Sequence, residues 1–259
     1  MSGCRPWEPE SSAVADDTTP VVPHSEVPDW AGRFGVLAGI TERGTGESPF
    51  DLSLTGDAPV AEVLGRWQAL QGMTGCPTVV ASRQVHGREV AWHPALRPGL
   101  LLLDGLDGHA TDAPGVLLAV TVADCIPVYL VDPVARAIAL LHAGWRGTAA
   151  GVLSAGIEAL SLAAGSSVGN VVMHVGPGIC GRCYEVGSEV PVALDIPLDG
   201  PGPFRVDLRE SLIRQAARMG IGEVSRSQFC SAEEPGRFFS HRASGGRAGR
   251  MVAYLALQA

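Results

Sequence analysis

Three apolar, β-rich runs in this sequence each end at a side chain able to ligate a metal. Residues 78–85 (TVVASRQV) lead into His86, 116–124 (VLLAVTVAD) into Cys125, and 137–141 (AIALL) into His142. Each ligand is followed by turn-prone sequence: His86-Gly87, Cys125-Ile126-Pro127 and His142-Ala143-Gly144. In open α/β sheets functional residues collect where strands give way to loops, so neighbouring strands would bring the three together. Two imidazoles and a thiolate suit Zn²⁺, and three protein ligands leave a fourth position for water, the catalytic rather than the structural arrangement. Zinc would lower the pKa of that water towards about 7 and make it a nucleophile. The spacing is not a compact zinc motif. A His at a strand end is commonly a hydrogen-bonded polar residue, and a Cys within a strand a small hydrophobe. On spacing alone both readings stand.

The segment His142-Ala143-Gly144-Trp145-Arg146-Gly147-Thr148 joins the third run to a helix-forming stretch, with Thr148 expected as its N-cap. A glycine-rich loop entering a helix favours an anion through free N–H groups and the helix dipole. Arg146 beside it can grip a phosphate or carboxylate in bidentate fashion. The plainer alternative is that Gly144 and Gly147 only permit a tight turn and Arg146 is solvated. Two further patterns carry less. Gly176-Pro177-Gly178-Ile179-Cys180-Gly181 matches G-x-G-x-x-G, with Asp195 at a plausible distance, but Pro177 sits in the turn and no glycine-packed helix follows, which argues against a dinucleotide site. Cys180-Gly181-Arg182-Cys183 is a lone C-x-x-C without a second pair or a nearby His pair, weak as a zinc knuckle and without thioredoxin-like flanks; it is expected to line a pocket.

The elements that must position these residues follow from periodicity and punctuation. Residues 60–71 have helical spacing, 148–164 form the strongest helix, and 209–219 an amphipathic one. Strands are expected at 78–85, 116–122, 128–131, 137–141 and 171–175, with a short apolar piece at 100–103. The run 116–122 is continuously apolar, as in a strand covered on both faces. The mixture implies an α/β fold with a substantial sheet. Residues 1–29, rich in Pro, Ser, Thr and acid, read as a disordered or loosely draped leader, and 30–259 as one domain.

Composition narrows the function classes. The 259 residues carry a net charge of −8, which argues against a general nucleic-acid binder. No apolar run approaches the roughly 18–20 residues of a membrane span. All 19 basic residues are Arg, so chemistry that needs a Lys, such as Schiff-base or P-loop chemistry, is excluded. The six cysteines are too few for a disulfide scaffold of this size, and no signal peptide is apparent. A cytoplasmic location with reduced thiols is expected. No sequence feature sets an oligomeric state.

Read together, Gln84-Val85-His86-Gly87, Ala123-Asp124-Cys125-Ile126-Pro127, the 142–148 segment, Gly176-Pro177-Gly178 and Cys183-Tyr184-Glu185-Val186-Gly187 occur in that order. Phe239-Ser240-His241-Arg242 and Gly249-Arg250-Met251 follow. Over residues 30–259 the chain resembles the YfiH-like, laccase-domain family, whose members carry the names polyphenol oxidase, purine nucleoside phosphorylase and peptidoglycan editing factor. The resemblance implies a single-domain α/β fold of layered mixed β-sheets flanked by helices. It implies one zinc per chain at His86, Cys125 and His142, with copper as a substitute, and purine nucleoside and phosphate as substrates. The implied reactions are phosphorolysis of adenosine, inosine, guanosine and methylthioadenosine, and deamination of adenosine. In that scheme Cys125, His142, Arg146 and Asp124 are the catalytic group, with Asp124 orienting a ligand or fixing its loop. Arg83, Gln84, Gly144, Thr148, Tyr184 and Arg242 would bind substrate: the arginines and the 144–148 loop hold phosphate, and Tyr184 walls a flat base. The chain departs from the family pattern at Ser53, where Asn is usual, at Gly65-Arg66 in place of Asn-Arg, and at His241, where Tyr is commoner.

Three alternatives remain. A true multicopper oxidase needs more His than the seven present, mostly in His-x-His pairs, and the chain has none of these pairs. A muropeptide-precursor editing hydrolase would use Cys125 as nucleophile with His142 or His86 as base. A binding module without catalysis would act through the acidic leader.

Overall fold

The computed structural model describes residues 20–45 and 48–258. In chain order the elements are β1 (His24–Glu26), α1 (Trp30–Phe34), β2 (Val36–Thr41), α2 (Val60–Thr74), β3 (Thr78–Arg83), β4 (Val90–Trp92), β5 (Gly99–Asp104), β6 (Gly108–Thr111) and β7 (Val116–Val122). Then come β8 (Ile126–Asp132), β9 (Ala137–Ala143), α3 (Trp145–Ala150), α4 (Val152–Ala164), β10 (Val172–Val175), β11 (Glu185–Val186), α5 (Glu189–Ala193), β12 (Phe204–Arg205), α6 (Leu208–Met219), β13 (Glu223–Arg226) and β14 (Met251–Leu257).

Two six-stranded mixed sheets carry the fold, ordered β1-β2-β14-β7-β3-β5 and β13-β10-β8-β9-β6-β4, with β11 and β12 as a separate ribbon. The alternation of side chains along each strand sorts the core into layers. Val116, Leu118 and Val120 of β7 face Tyr129 and Val131 of β8 and Ile138 and Leu140 of β9 between the sheets. The intervening Leu117 and Ala119 join Val252, Tyr254 and Ala256 of β14 against Val63, Trp67 and Leu70 of α2. On the far side Val128 and Leu130 pack with Leu141 against Val152, Leu153 and Leu160 of α4 and Leu212 and Ala216 of α6. The result is helix, sheet, sheet, helix. Each helix meets its sheet through residues at helical spacing, 63, 67 and 70 in α2, 153, 156 and 160 in α4, and 208, 212 and 216 in α6, which fall on one face.

Two expectations need correction. Residues 24–26, expected within the leader, form β1 and pair antiparallel with β2, and Val22 and Val27 are buried. Their apolar side chains close the edge of the first sheet, so ordered structure begins before Trp30; residues 1–19 of the expected leader lie outside the described residues. The single helix expected over 148–164 is two, because Gly151 adopts the left-handed φ of 86° that ends α3 and precedes α4. Thr148 is therefore not an N-cap but lies inside α3, whose N-cap is Gly144.

Candidate active site

His86, Cys125 and His142 converge, with their ligand atoms within 4.8 Å of one another. They do so by a different route from adjacent strands of one sheet. β3 and β7 pair in the first sheet, whereas β8 and β9 belong to the second. Cys125 lies where the chain crosses from β7 to β8. His142 sits within β9, opposite Pro127, and points back across that crossing. The group thus occupies the seam between the two sheets. Two non-glycine residues there take left-handed backbone, His86 at φ 58° and Asp124 at φ 84°. Such conformations cost of order 1–3 kcal/mol where nothing compensates.

Asp107 supplies the compensation at His86, and sequence reasoning missed it. Its buried carboxylate accepts from the backbone N–H groups of His86 (3.0 Å), Gly87 (2.7 Å) and Val85 (3.2 Å), and from His142 Nδ1 (2.8 Å). Burial pushes its pKa up, but the His142 imidazole and these N–H groups outweigh that and hold it below the usual carboxylate range. With Nδ1–H engaged by Asp107, His142 turns Nε2 towards Cys125 and His86, the orientation metal-binding histidines use. The available sequence signal was the second of two acids that follow the apolar run 100–103, standing just before a strand.

The electrostatics favour a thiolate beside an imidazolium, whose Nε2 proton an incoming metal ion would displace. Burial would raise the Cys125 thiol, but the charge and hydrogen bonds of His142, followed by those of His86, pull it down to about 6. Burial lowers His142, yet Cys125 and Asp107 together raise it to about 9. Gly144 closes the underside: a Cβ there would lie 2.9 Å from His86 Cδ2 and 3.0 Å from Cys125 Sγ. A thiolate, two oriented imidazoles and a backbone cradle that excludes a side chain fit a single borderline metal ion.

The ligands open into a cavity of about 620 Å³. Of the other expected residues, Arg83, Gln84, Asp124, Arg146, Tyr184 and Arg242 line it. Arg146 stacks its guanidinium 4.3 Å from the Trp145 ring centroid and makes no ion pair among the described residues. Arg242 lies over Tyr184 at 5.1 Å and donates to Glu185 O at 2.6 Å. Burial, with the charge of Cys125, pushes the Tyr184 phenol up to about 12, so it stays protonated. Asp124 is a clasp: its carboxylate accepts from Ser231 Oγ at 2.6 Å and from Arg242 N at 2.7 Å, tying the crossing to the loop that carries Arg242.

Other expected residues are differently engaged. The Gln84 amide is occupied by the backbone and hydroxyl of Thr121. Arg83 pairs with Asp104 at the exposed rim. Thr148 is fully buried, its hydroxyl donating to Gly144 O at 2.9 Å, and does not line the cavity. Ser53 and His241, two departures from the family pattern, do line it; Arg66 lies elsewhere, bonded to Glu62 and to Asp51 O. The segment 176–181 runs into a turn and the strand β11 rather than a helix, so it has no dinucleotide-loop geometry.

Comparisons with known proteins agree on the lineage. Residues 37–258 match the family described as multi-copper polyphenol oxidoreductase laccase. The chain is 36% identical over 207 residues to purine nucleoside phosphorylase ORF3 of Streptomyces griseus, covering 77% of this chain and 83% of that protein. It is also 36% identical over 160 residues to adenosine deaminase RL5 of an unknown prokaryotic organism, covering 57% and 61%. The crystal structure of the hypothetical protein YfiH of Bacillus licheniformis superposes with a TM-score of 0.83 at 26% identity, over 92% of this chain and 97% of that one.

Proposed function

This chain belongs to the multi-copper polyphenol oxidoreductase laccase family, and we propose that within it the protein is a zinc-dependent purine nucleoside enzyme. Its reactions are phosphorolysis of adenosine, inosine, guanosine and methylthioadenosine, and deamination of adenosine. The observation that carries this reading is the His86–Cys125–His142 group at the floor of a cavity bordered by Arg146, Tyr184 and Arg242. The names of the relatives point the same way.

The cavity volume lies within the usual range for small-ligand sites, roughly 300–1,000 Å³. Tyr184 offers a flat face to a base. Arg146 and Arg242 present the two guanidiniums best placed to hold phosphate against the ribose, so that an oxygen of phosphate attacks C1′ as the C1′–N9 bond breaks and the purine leaves with the bonding pair. A zinc ion held by the three ligands would supply Lewis acidity for activating water in deamination, and copper is an alternative occupant of the same donors. Asp107 fixes the His142 tautomer throughout, and Asp124 keeps the Arg242 loop docked.

Adenosine with and without phosphate, followed by separation of adenine from inosine, tests the reading. Arg146→Ala is expected to raise KM for phosphate about tenfold, the loss of one charge-assisted contact, while leaving deamination intact. Equal loss of both reactions would remove the phosphate role, and inertness of the metal-replete wild type towards every purine nucleoside would remove the function. One observation favours a second reading: Cys125, held near pKa 6 beside a charged His142, is also an activated nucleophile. Release of an amino acid from a muropeptide by metal-free protein, abolished in Cys125→Ala, would establish the editing hydrolase instead.

A further inference from the structure

A second group of ligating side chains lies away from this centre. Cys180, Cys183, Cys230 and Glu233 place their ligand atoms within 4.8 Å of one another. They sit on two facing turns with the same i, i+3 spacing. Cys183 N donates to Cys180 O at 3.0 Å, and Glu233 N to Cys230 O at 3.2 Å. The turns are joined by a parallel bridge between Gly178 and Cys230, and Cys180 N donates to Cys230 Sγ at 3.2 Å. Structural zinc sites commonly draw their ligands from such paired Cys-x-x-Cys turns; here Glu233 stands in the fourth place.

The dimensions agree. With metal–sulfur bonds of about 2.3 Å and metal–oxygen bonds of about 2.0 Å, a tetrahedral sulfur–oxygen edge is about 3.5 Å. Cys183 Sγ and Cys180 Sγ lie 3.5 and 3.6 Å from the same Glu233 Oε1. A disulfide would use two of the four groups and leave a thiol and a carboxylate over; a divalent cation uses all four. Three thiolates and a carboxylate around such a cation keep a net negative charge. Arg182, which pairs with Glu233 at 2.9 Å, offsets part of it; Arg209 and Arg226 line the same cavity but pair with Asp207 and Glu210.

We propose that Cys180, Cys183, Cys230 and Glu233 form a closed, structural zinc site. Four protein ligands leave no open position, so the ion is a staple and not a catalyst. It joins the two walls of the larger cavity. Cys183 immediately precedes Tyr184, and Cys230 immediately precedes Ser231, whose hydroxyl holds Asp124.

The test uses the full chain, purified under reductant and loaded with zinc or, in parallel, cobalt. Cys125→Ser removes the only thiolate of the first centre. That variant should retain about one zinc per chain by elemental analysis, and its cobalt form should show intense thiolate-to-metal charge-transfer bands. Adding Cys183→Ser should remove most of that intensity. Glu233→Gln, at an exposed side chain, should keep the bands but weaken zinc binding about tenfold or more in chelator competition; it serves if Cys183→Ser fails to fold. Absence of metal and of thiolate bands from the Cys125→Ser protein would overturn the proposal. So would bands that Cys183→Ser and Glu233→Gln both leave unchanged at unchanged affinity, or a Cys180–Cys183 disulfide that persists under reductant.

Discussion

Replacing Asp107 by Asn would preserve shape while removing one acceptor, and its cost can be followed donor by donor. One carboxylate oxygen receives His142 Nδ1 and His86 N; the other receives Gly87 N and Val85 N. An amide has one oxygen for these four donors. If that oxygen stays towards His142, the new NH₂ faces the N–H groups of Gly87 and Val85. Two part-buried donors then lose their acceptor, at no more than about 1–3 kcal/mol each. If the amide turns over, the NH₂ faces His142 Nδ1, which must become an acceptor. The neutral imidazole then keeps its proton on Nε2 and offers no lone pair towards Cys125 and His86. Removing a partner of this kind typically weakens metal binding about 10–100-fold, equivalent to about 1.4–2.7 kcal/mol. Asp107→Asn should therefore lose stability in urea unfolding, metal affinity in chelator competition, or both. Unfolding free energy within about 0.5 kcal/mol of wild type, together with unchanged metal affinity, would refute the role given to Asp107.

Gly144→Ala should abolish or strongly weaken metal binding at His86, Cys125 and His142 while sparing the fold. The backbone at φ −77°, ψ 171° accepts Ala, but its Cβ would displace His86 and Cys125; elemental analysis beside circular dichroism reads this directly. Leu118→Ala opens a void between the sheets and should cost about 2–5 kcal/mol in urea unfolding. His174, packed against Trp30 and Tyr129, is pushed by burial down to about 4. Because its folded pKa lies below the unfolded value, the unfolded chain takes up the proton first, and stability falls as pH drops from about 6.5 to about 4. Over that window the wild type should lose about 2–4 kcal/mol more than His174→Phe; parallel curves for the two proteins would exclude His174 as the cause.

Some of this molecule could be read from its residues and some could not. The continuous apolar run 116–122 is β7, and its covering on both faces follows from having the second sheet on one side and α2 on the other. His86, Cys125 and His142 were legible because each ends or closes an apolar strand run. Asp107 was not, because what identifies it is four donors arriving from segments 20 or more residues away. Thr148 misled because its residue type suits a cap, whereas the chain already turns helical at Trp145. The pairing of Cys180 and Cys183 with Cys230 and Glu233 joins distant segments, so the first two read as an isolated motif. β1 was hidden by a Pro- and acid-rich context, although what seats it is the free edge of β2.

The placement of β14 also fixes an order of events during synthesis. It lies between β2 and β7, with Leu257 paired to Val36 and Met251 to Val122. Until it emerges, β2 has no inner neighbour and the first sheet has a gap at its middle. At about 5–20 residues per second, β2 waits roughly 10–45 s for this partner. The three candidate metal ligands are translated well before it, so the nascent chain carries exposed thiol and imidazole groups beside an incomplete apolar sheet. That interval is when a chaperone has most to shield, and when a metal ion could be captured before the fold has closed around it.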